Sequence, residues 1–286
     1  MAIALGSNRY GKAETRLVRV TRDGETHSLV DVNVSIALSG DLDATHQTGD
    51  NSGVLPTDTM KNTVYAFAKE HGVGAPEDFG LLLARHFVTT QPQIHRATVS
   101  IEAFEWERLG PHSFQRKGDY VRTARIDVGG GSAQVVSGVN GLVLLNSTAS
   151  EFHGFPRDRY TTLAETTDRI LATAVDARWR HGSDTSDWDV SFAAARDALV
   201  NAFVNTYSYS LQQTLLSMGT RVLETRPEIA EIRLALPNKH HYLVDLTPFG
   251  LENAHEVFIA GDRPYGLIEG TVTRDDAPPA SAEWYL

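Results

Sequence analysis

The chain has 286 residues, 41% of them hydrophobic and 22% charged, with 26 Lys plus Arg against 36 Asp plus Glu for a net charge of -10. This is a globular composition with room for about two domains of ~150 residues, and its acidic balance argues against a nucleic-acid or anionic-membrane surface, which needs a basic footprint. Cysteine is absent, which excludes disulfides, thiolate nucleophiles, thiolate zinc sites and cysteine-held iron–sulfur clusters.

The start, Met1 to Leu5, is too short for the apolar region of a signal peptide. No stretch approaches ~18 consecutive apolar residues, so no spanning helix is expected. The end, Glu283-Trp284-Tyr285-Leu286, is not a peroxisomal Ser-Lys-Leu-type signal. The expected location is the cytoplasm.

In chain order, Arg16 to Val20 is a β-rich run, and Asp23-Gly24 is a two-residue turn signal. Val32, Val34, Ile36 and Leu38 alternate with Asn33, Ser35 and Ala37, the period of a half-buried strand. Met60, Val64, Phe67 and Ala68 then fall on one helix face, with Thr57-Asp58 as cap candidates and Gly72 as the stop. A second helix starts near Pro76 and places Phe79, Leu82, Leu83, His86 and Phe87 on one face. Strands return at Ala97 to Trp106 and Tyr120 to Val128.

After Gly129-Gly130-Gly131 the same order repeats. Val135 to Leu145 reads as β structure bent near Gly138 to Gly141, and Ile170 to Trp179 as a second strand. Asp184 to Asp187 offers several caps for a helix whose face carries Phe192, Ala195, Leu199 and Phe203. Leu211, Leu215, Met218 and Val222 mark another helix, and Ile232 to Leu236, Tyr242 to Leu246 and Leu267 to Val272 supply closing strands. The expectation is a tandem duplication, residues 1–131 and 132–286, each an α+β unit with a helix pair on one face of an antiparallel sheet. Open sheet edges in such units favour oligomers.

Chemical motifs are scarce. Gly6 to Lys12 fits seven positions of a phosphate loop, but the eighth is Ala13 rather than Ser or Thr, and a strand follows where a helix is required. His240-His241 are adjacent, and on a strand they would point to opposite faces, so no metal site is expected. No nucleophile elbow and no dinucleotide fingerprint are present. Three segments stand out. Residues 51–62 place Thr57-Asp58 at a helix start, which reads first as an ordinary N-cap. Residues 152–169 form an aromatic and arginine-rich stretch that could be a solvated loop. Residues 236–242 are a polar turn inside strand-forming sequence, where a plain hairpin connection would suffice.

Together these segments resemble urate oxidase (uricase). The runs NSGVLPTDTMKNTVY, FHGFPRDRYTTLAETTDR, SYSLQQT and LPNKHHY occur in that family's order and spacing. Tyr10-Gly11-Lys12 and the run from Glu256 to Val272 are similar too. The resemblance implies the tunnelling fold, with two sheet-plus-helix-pair units per chain closing into a β-barrel tunnel in a homotetramer. It implies oxidation of urate by molecular oxygen to 5-hydroxyisourate and hydrogen peroxide, without metal or organic cofactor.

Carried over residue by residue, Lys12, Thr57 and His240 would form the family's proton-relay triad. Phe152 would stack on the purine, and Arg169 and Gln212 would grip its polar edge beside the Leu211 backbone. Asn238 would hold oxygen or water above the ring. Thr57 and Asp58 would come from one subunit, and Phe152, Arg169 and Gln212 from its neighbour. The residue types suit the substrate. Arg presents a planar fork of donors to an anionic edge, Gln donates and accepts at once, and a lysine beside a hydroxyl can take up a proton if it is neutral. His153 and His241 depart from the family pattern without falling on a carried-over position. Two rival readings fit less well: a cyclohydrolase-like enzyme of the same fold usually needs zinc ligands that include cysteine, which this chain lacks, and a purine-binding scaffold would be expected to lose Lys12, Thr57 or His240, all of which are present.

Overall fold

The computed structural model describes residues 3–280 and Trp284. Most of the readings made on the two chain termini therefore lie outside the described residues. Among the described residues no helix is long and apolar enough to cross a membrane. The chain divides into two compact units, Met1–Gly138 with Arg180–Phe192 and Pro278–Leu286, and Val139–Trp179 with Ala193–Ala277.

The first unit opens on a long antiparallel hairpin, β1 (Tyr10–Asp23) and β2 (Thr26–Gly40). Asp23 pairs with Thr26, so the two-residue turn is Gly24-Glu25, one residue later than the Asp23-Gly24 signal suggested. Gly24 supplies the positive φ, +56°, that such a turn requires. A short helix α1 (Asp43–Gln47) precedes α2 (Thr57–Glu70) and α3 (Pro76–Thr90). β3 (Ile94–Phe104) follows, then a small hairpin of β4 (Trp106–Arg108) and β5 (Phe114–Arg116) that sequence did not predict, and β6 (Val121–Gly129). The sheet runs β1-β2-β3-β6 with antiparallel pairs and continues into β7 (Ser132–Asn146).

The alternation read in β2 is realised: Val32, Val34, Ile36 and Leu38 are buried in one core with Met60 and Val64 of α2 and Phe79, Leu83 and Phe87 of α3. Pro76 opens α3 at its first turn, where its missing N–H costs nothing. The buried face of α3 differs from the expected one. Leu82 is exposed, and Gly80 and Ala84 take its place. A Cβ at position 80 would stand 2.4 Å from Ile126 Cδ1, so the small residue lets α3 lie close on β6.

The second unit contains the later part of β7, β8 (Leu171–His181) as far as Trp179, α4 (Trp188–Asn205) beyond its first turn, α5 (Leu211–Thr225) and β9 (Ile229–Pro237). It ends with β10 (His241–Leu243), β11 (Phe258–Ala260) and β12 (Leu267–Thr273). The strand order is β7-β8-β9-β12. Gly141, with φ of +74°, bends β7 as its glycines predicted, and its N–H donates to Asp176 Oδ1 at 2.7 Å. The N-terminus of α4 is capped by Asp187, whose Oδ1 accepts from Val190 N at 3.2 Å. The expected faces of α4 and α5 are buried.

The strand expected to run from Tyr242 to Leu246 is shorter and stays outside this sheet, pairing with β11 instead. Asp245 ends it. Its Oδ1 accepts from both Thr247 N at 2.9 Å and Thr247 Oγ1, and a 3₁₀ turn begins there with Pro248.

α5 packs on β9 and β12 through Leu215, Met218, Gly219 and Val222. A Cβ at Gly219 would come within 2.5 Å of Val272 Cγ2. Gly219→Ala is therefore expected to destabilise the chain by ~1–3 kcal/mol, the usual cost of overpacking. Denaturant unfolding measures it, and an unchanged midpoint would mean that α5 lifts without cost.

Candidate active site

Three segments of the second unit meet at one cavity. The connection between β7 and β8 is irregular and mostly exposed, as its composition allowed, but its two ends are tied together. Phe152 and Thr166 exchange backbone hydrogen bonds at 2.8 and 3.1 Å, Arg169 N donates to Ser150 O at 2.9 Å, and Ser150 pairs with Ser208 ahead of α5. These ties hold Arg169 over the Phe152 ring, with its guanidinium carbon 5.2 Å from the ring centroid. Arg169 Nε donates to Ser150 Oγ at 3.3 Å, and among the described residues its terminal nitrogens have no carboxylate partner. That sets it apart from Arg16, Arg96 and Arg122, whose guanidinium groups lie 2.6–2.8 Å from carboxylates. Burial lowers the Arg169 pKa from its ordinary value, but a guanidinium stays charged in any accessible environment.

The polar turn after β9 is more than a hairpin connection. Asn238 N donates to Gly266 O and Lys239 N to Ala172 O, both at 2.8 Å, which pins the turn between neighbouring strands. His240 follows. Its carbonyl accepts from Gly261 N at 2.8 Å, and its ring stacks on Tyr242 at 5.9 Å. Burial first, then the charges of Arg169 and His241, hold the His240 pKa below the ordinary imidazole value. Both histidines border the cavity, against the expectation from strand alternation, because β10 begins only at His241. Among the described residues no three His, Asp or Glu side chains are grouped to hold a metal ion.

Phe152, Arg169, Asn238 and His240 all line this cavity of about 500 Å³, with Leu163, Leu243 and Phe258 among its apolar walls. The volume and mixed lining suit a small polar ligand. Leu211 and Gln212 lie at the start of α5 and do not line it. Leu211 is buried, and Gln212 is exposed with no hydrogen bond among the described residues. They are linked to the cavity wall through Ser208, whose carbonyl accepts from Glu151 N at 2.9 Å.

Lys12, Thr57 and Asp58 belong to the first unit. Lys12 sits in β1 opposite Ile36, immediately before a bulge in which Glu14 takes φ of +58° and donates its N–H to Ser35 Oγ at 3.0 Å. Thr57 is not the N-cap that its position suggested. Pro56 holds that place without a side-chain cap, and Thr57 is the first helical residue, its hydroxyl making no hydrogen bond among the described residues. The carboxyl of Asp58 is held below its ordinary pKa by Lys61, then by Asn62 at 3.0 Å, and finally by the charge of Lys12. Lys12 is therefore close to the start of α2. Sequence reading passed over Ser150, which no motif marks.

The lowered pKa of His240 has a checkable sign. Its neutral form is favoured by folding, so the contribution is fully present above the unfolded value of 6.5 and fades as pH falls below it. In an NMR titration the His240 ring is expected to protonate below pH 6.5. A midpoint above it would contradict this half-buried, cation-flanked environment.

The family model described as Uricase matches residues 8–127 and 135–269. The chain belongs to the uricase family. The uricase of Arthrobacter globiformis is 50% identical over 284 residues, covering 99% of this chain and 94% of that protein. The uricase of Dictyostelium discoideum is 37% identical over 276 residues, 93% of this chain and 96% of that one. The crystal structure of uricase from A. globiformis superposes with a TM-score of 0.97 at 49% identity, covering 100% of both chains. The uricase resemblance read from the four motifs is thereby established, and so is the α+β fold of antiparallel sheet and packed helices.

Proposed function

We propose that this chain is a urate oxidase that needs neither metal nor organic cofactor and acts in the cytoplasm. The observation that carries the reading is Arg169: a half-buried guanidinium with no carboxylate partner among the described residues, lining a small cavity in a chain of net charge -10. Urate is a flat purine anion, and such a fork of donors is suited to its oxygen and nitrogen edge. Phe152 offers a ring face for stacking, worth ~1–3 kcal/mol if it resembles base–aromatic stacking. Gln212 does not line the cavity, but its exposed amide at the start of α5 is assigned to the same polar edge, with the Leu211 backbone.

The reaction balances as urate plus O2 plus water giving 5-hydroxyisourate plus hydrogen peroxide. Urate supplies both electrons once a second proton leaves, so the protein's task is to orient the ring and move protons. Lys12 and Thr57 take up that proton with His240, and Asn238 holds oxygen or water over the ring. Asp58 lies beside Thr57 at the same helix start. In this proposal, residues 1–131 and 132–286 are the two copies of the duplicated unit. Lys12, Thr57 and Asp58 of one copy of the chain complete the cavity of another, within a homotetramer. The separate placement of the two residue groups, in the first and second compact units, is compatible with such sharing.

The test is direct. The purified chain is expected to remove the near-ultraviolet absorbance of urate with matching oxygen uptake and peroxide release, unaffected by chelators. Persistence of urate under air with folded protein would sink the proposal.

A further inference from the structure

We infer that Ser150 is the positioning residue for Arg169, engaging its Nε so that both terminal nitrogens of the guanidinium are presented to the purine edge. The inference rests on the reading of Arg169 as the group that holds urate.

Ser150 is fully buried and touches Arg169 twice. Its carbonyl accepts from Arg169 N at 2.9 Å, and its Oγ accepts from Arg169 Nε at 3.3 Å. On its other side it forms a parallel bridge with Ser208. Ser208 is locked in turn, since its Oγ accepts from Thr214 Oγ1 at 2.8 Å and donates to Ser210 O at 3.1 Å. Ser208 and Thr214 are also fully buried. Ser150 is thus a fixed post between α5 and the arginine. Alanine would fill nearly the same space without burying a hydroxyl, which is costly unless bonded. Among the described residues, the bond from Nε is the one that Ser150 Oγ makes. A guanidinium rotates about its long side chain. Fixing Nε leaves a defined two-nitrogen edge, and that edge is what a planar anion recognises.

Steady-state kinetics on the full chain test this with Ser150→Ala, Arg169→Lys and the double variant. Lysine has no Nε–H for Ser150 to accept. Ser150→Ala is expected to raise KM for urate about ten-fold, the size of one lost bond to a charged group, with kcat within about two-fold. In the Arg169→Lys background it is expected to add nothing. If Ser150→Ala does not fold, Ser150→Cys keeps the volume with a much weaker acceptor and is read the same way. An unchanged KM in the folded variant overturns the inference. So does an equal rise in KM in the lysine background, which would place the effect of Ser150 elsewhere. A wild-type KM in Arg169→Lys alone is a different failure: it removes the reading of Arg169 itself, and the inference with it.

Discussion

Arg169→Ala is expected to lower kcat/KM for urate by about 10²- to 10⁴-fold. Two charge-assisted hydrogen bonds to an anionic edge are worth ~1.5–3 kcal/mol each, and each ~1.4 kcal/mol is a factor of ten. The acidic chain sharpens the effect. With 36 acidic against 26 basic residues, attraction for an anion has to be concentrated locally. Near the cavity, Arg169 is the cation whose terminal nitrogens are not already committed to a carboxylate among the described residues. Stability should fall by ~1–3 kcal/mol, because the substitution leaves the buried Ser150 hydroxyl without the bond it makes to Arg169 Nε, while the backbone ties of the segment remain. Steady-state kinetics and a thermal melt measured together decide the matter. A folded Arg169→Ala enzyme within about ten-fold of the parent would show that the anion is bound elsewhere.

Lys12→Met is expected to lower kcat by about 10²- to 10⁴-fold, the range for losing a positioned proton acceptor, with a smaller change in KM. Thr57→Ala should move in the same direction. The sharper outcome comes from mixing. If one copy supplies Lys12 and Thr57 and another supplies Phe152 and Arg169, co-expressed Lys12→Met and Arg169→Ala chains form some interfaces in which a site is intact on both sides. Activity should therefore return in the mixed oligomer, although each variant alone is nearly inactive. No recovery in a mixed oligomer confirmed by mass spectrometry would place the whole site within one chain.

Much of this architecture is legible in the amino-acid sequence. The alternation in β2, the 3.6-residue stripes on α2, α4 and α5, Pro76 at a helix start and the bend at Gly141 are local signals. Each was realised because the buried face of an element is set by side-chain period and backbone geometry alone. Where sequence reading slipped, a competing interaction won. The hairpin turn moved to Gly24-Glu25 through pairing register. The buried face of α3 turned toward Gly80 because a missing side chain permits closer packing. β10 ended early because Asp245 bonds its own chain two residues on. That last signal, aspartate and proline within four residues, was readable and was missed.

The order of the main-sheet strands and long helices, most of the core and, through four spaced motifs, the residue types available for chemistry are legible in the amino-acid sequence. That Phe152, Arg169, Asn238 and His240 line one cavity, that Thr57 is not occupied as a helix cap, and that Ser150 stands behind Arg169 emerges from the packed fold. The reason is physical. Local pattern fixes which way a side chain points from its own element. The distance between groups far apart in the chain depends on how whole elements pack and on backbone bonds such as those joining Ser150 to Arg169 and Ser208.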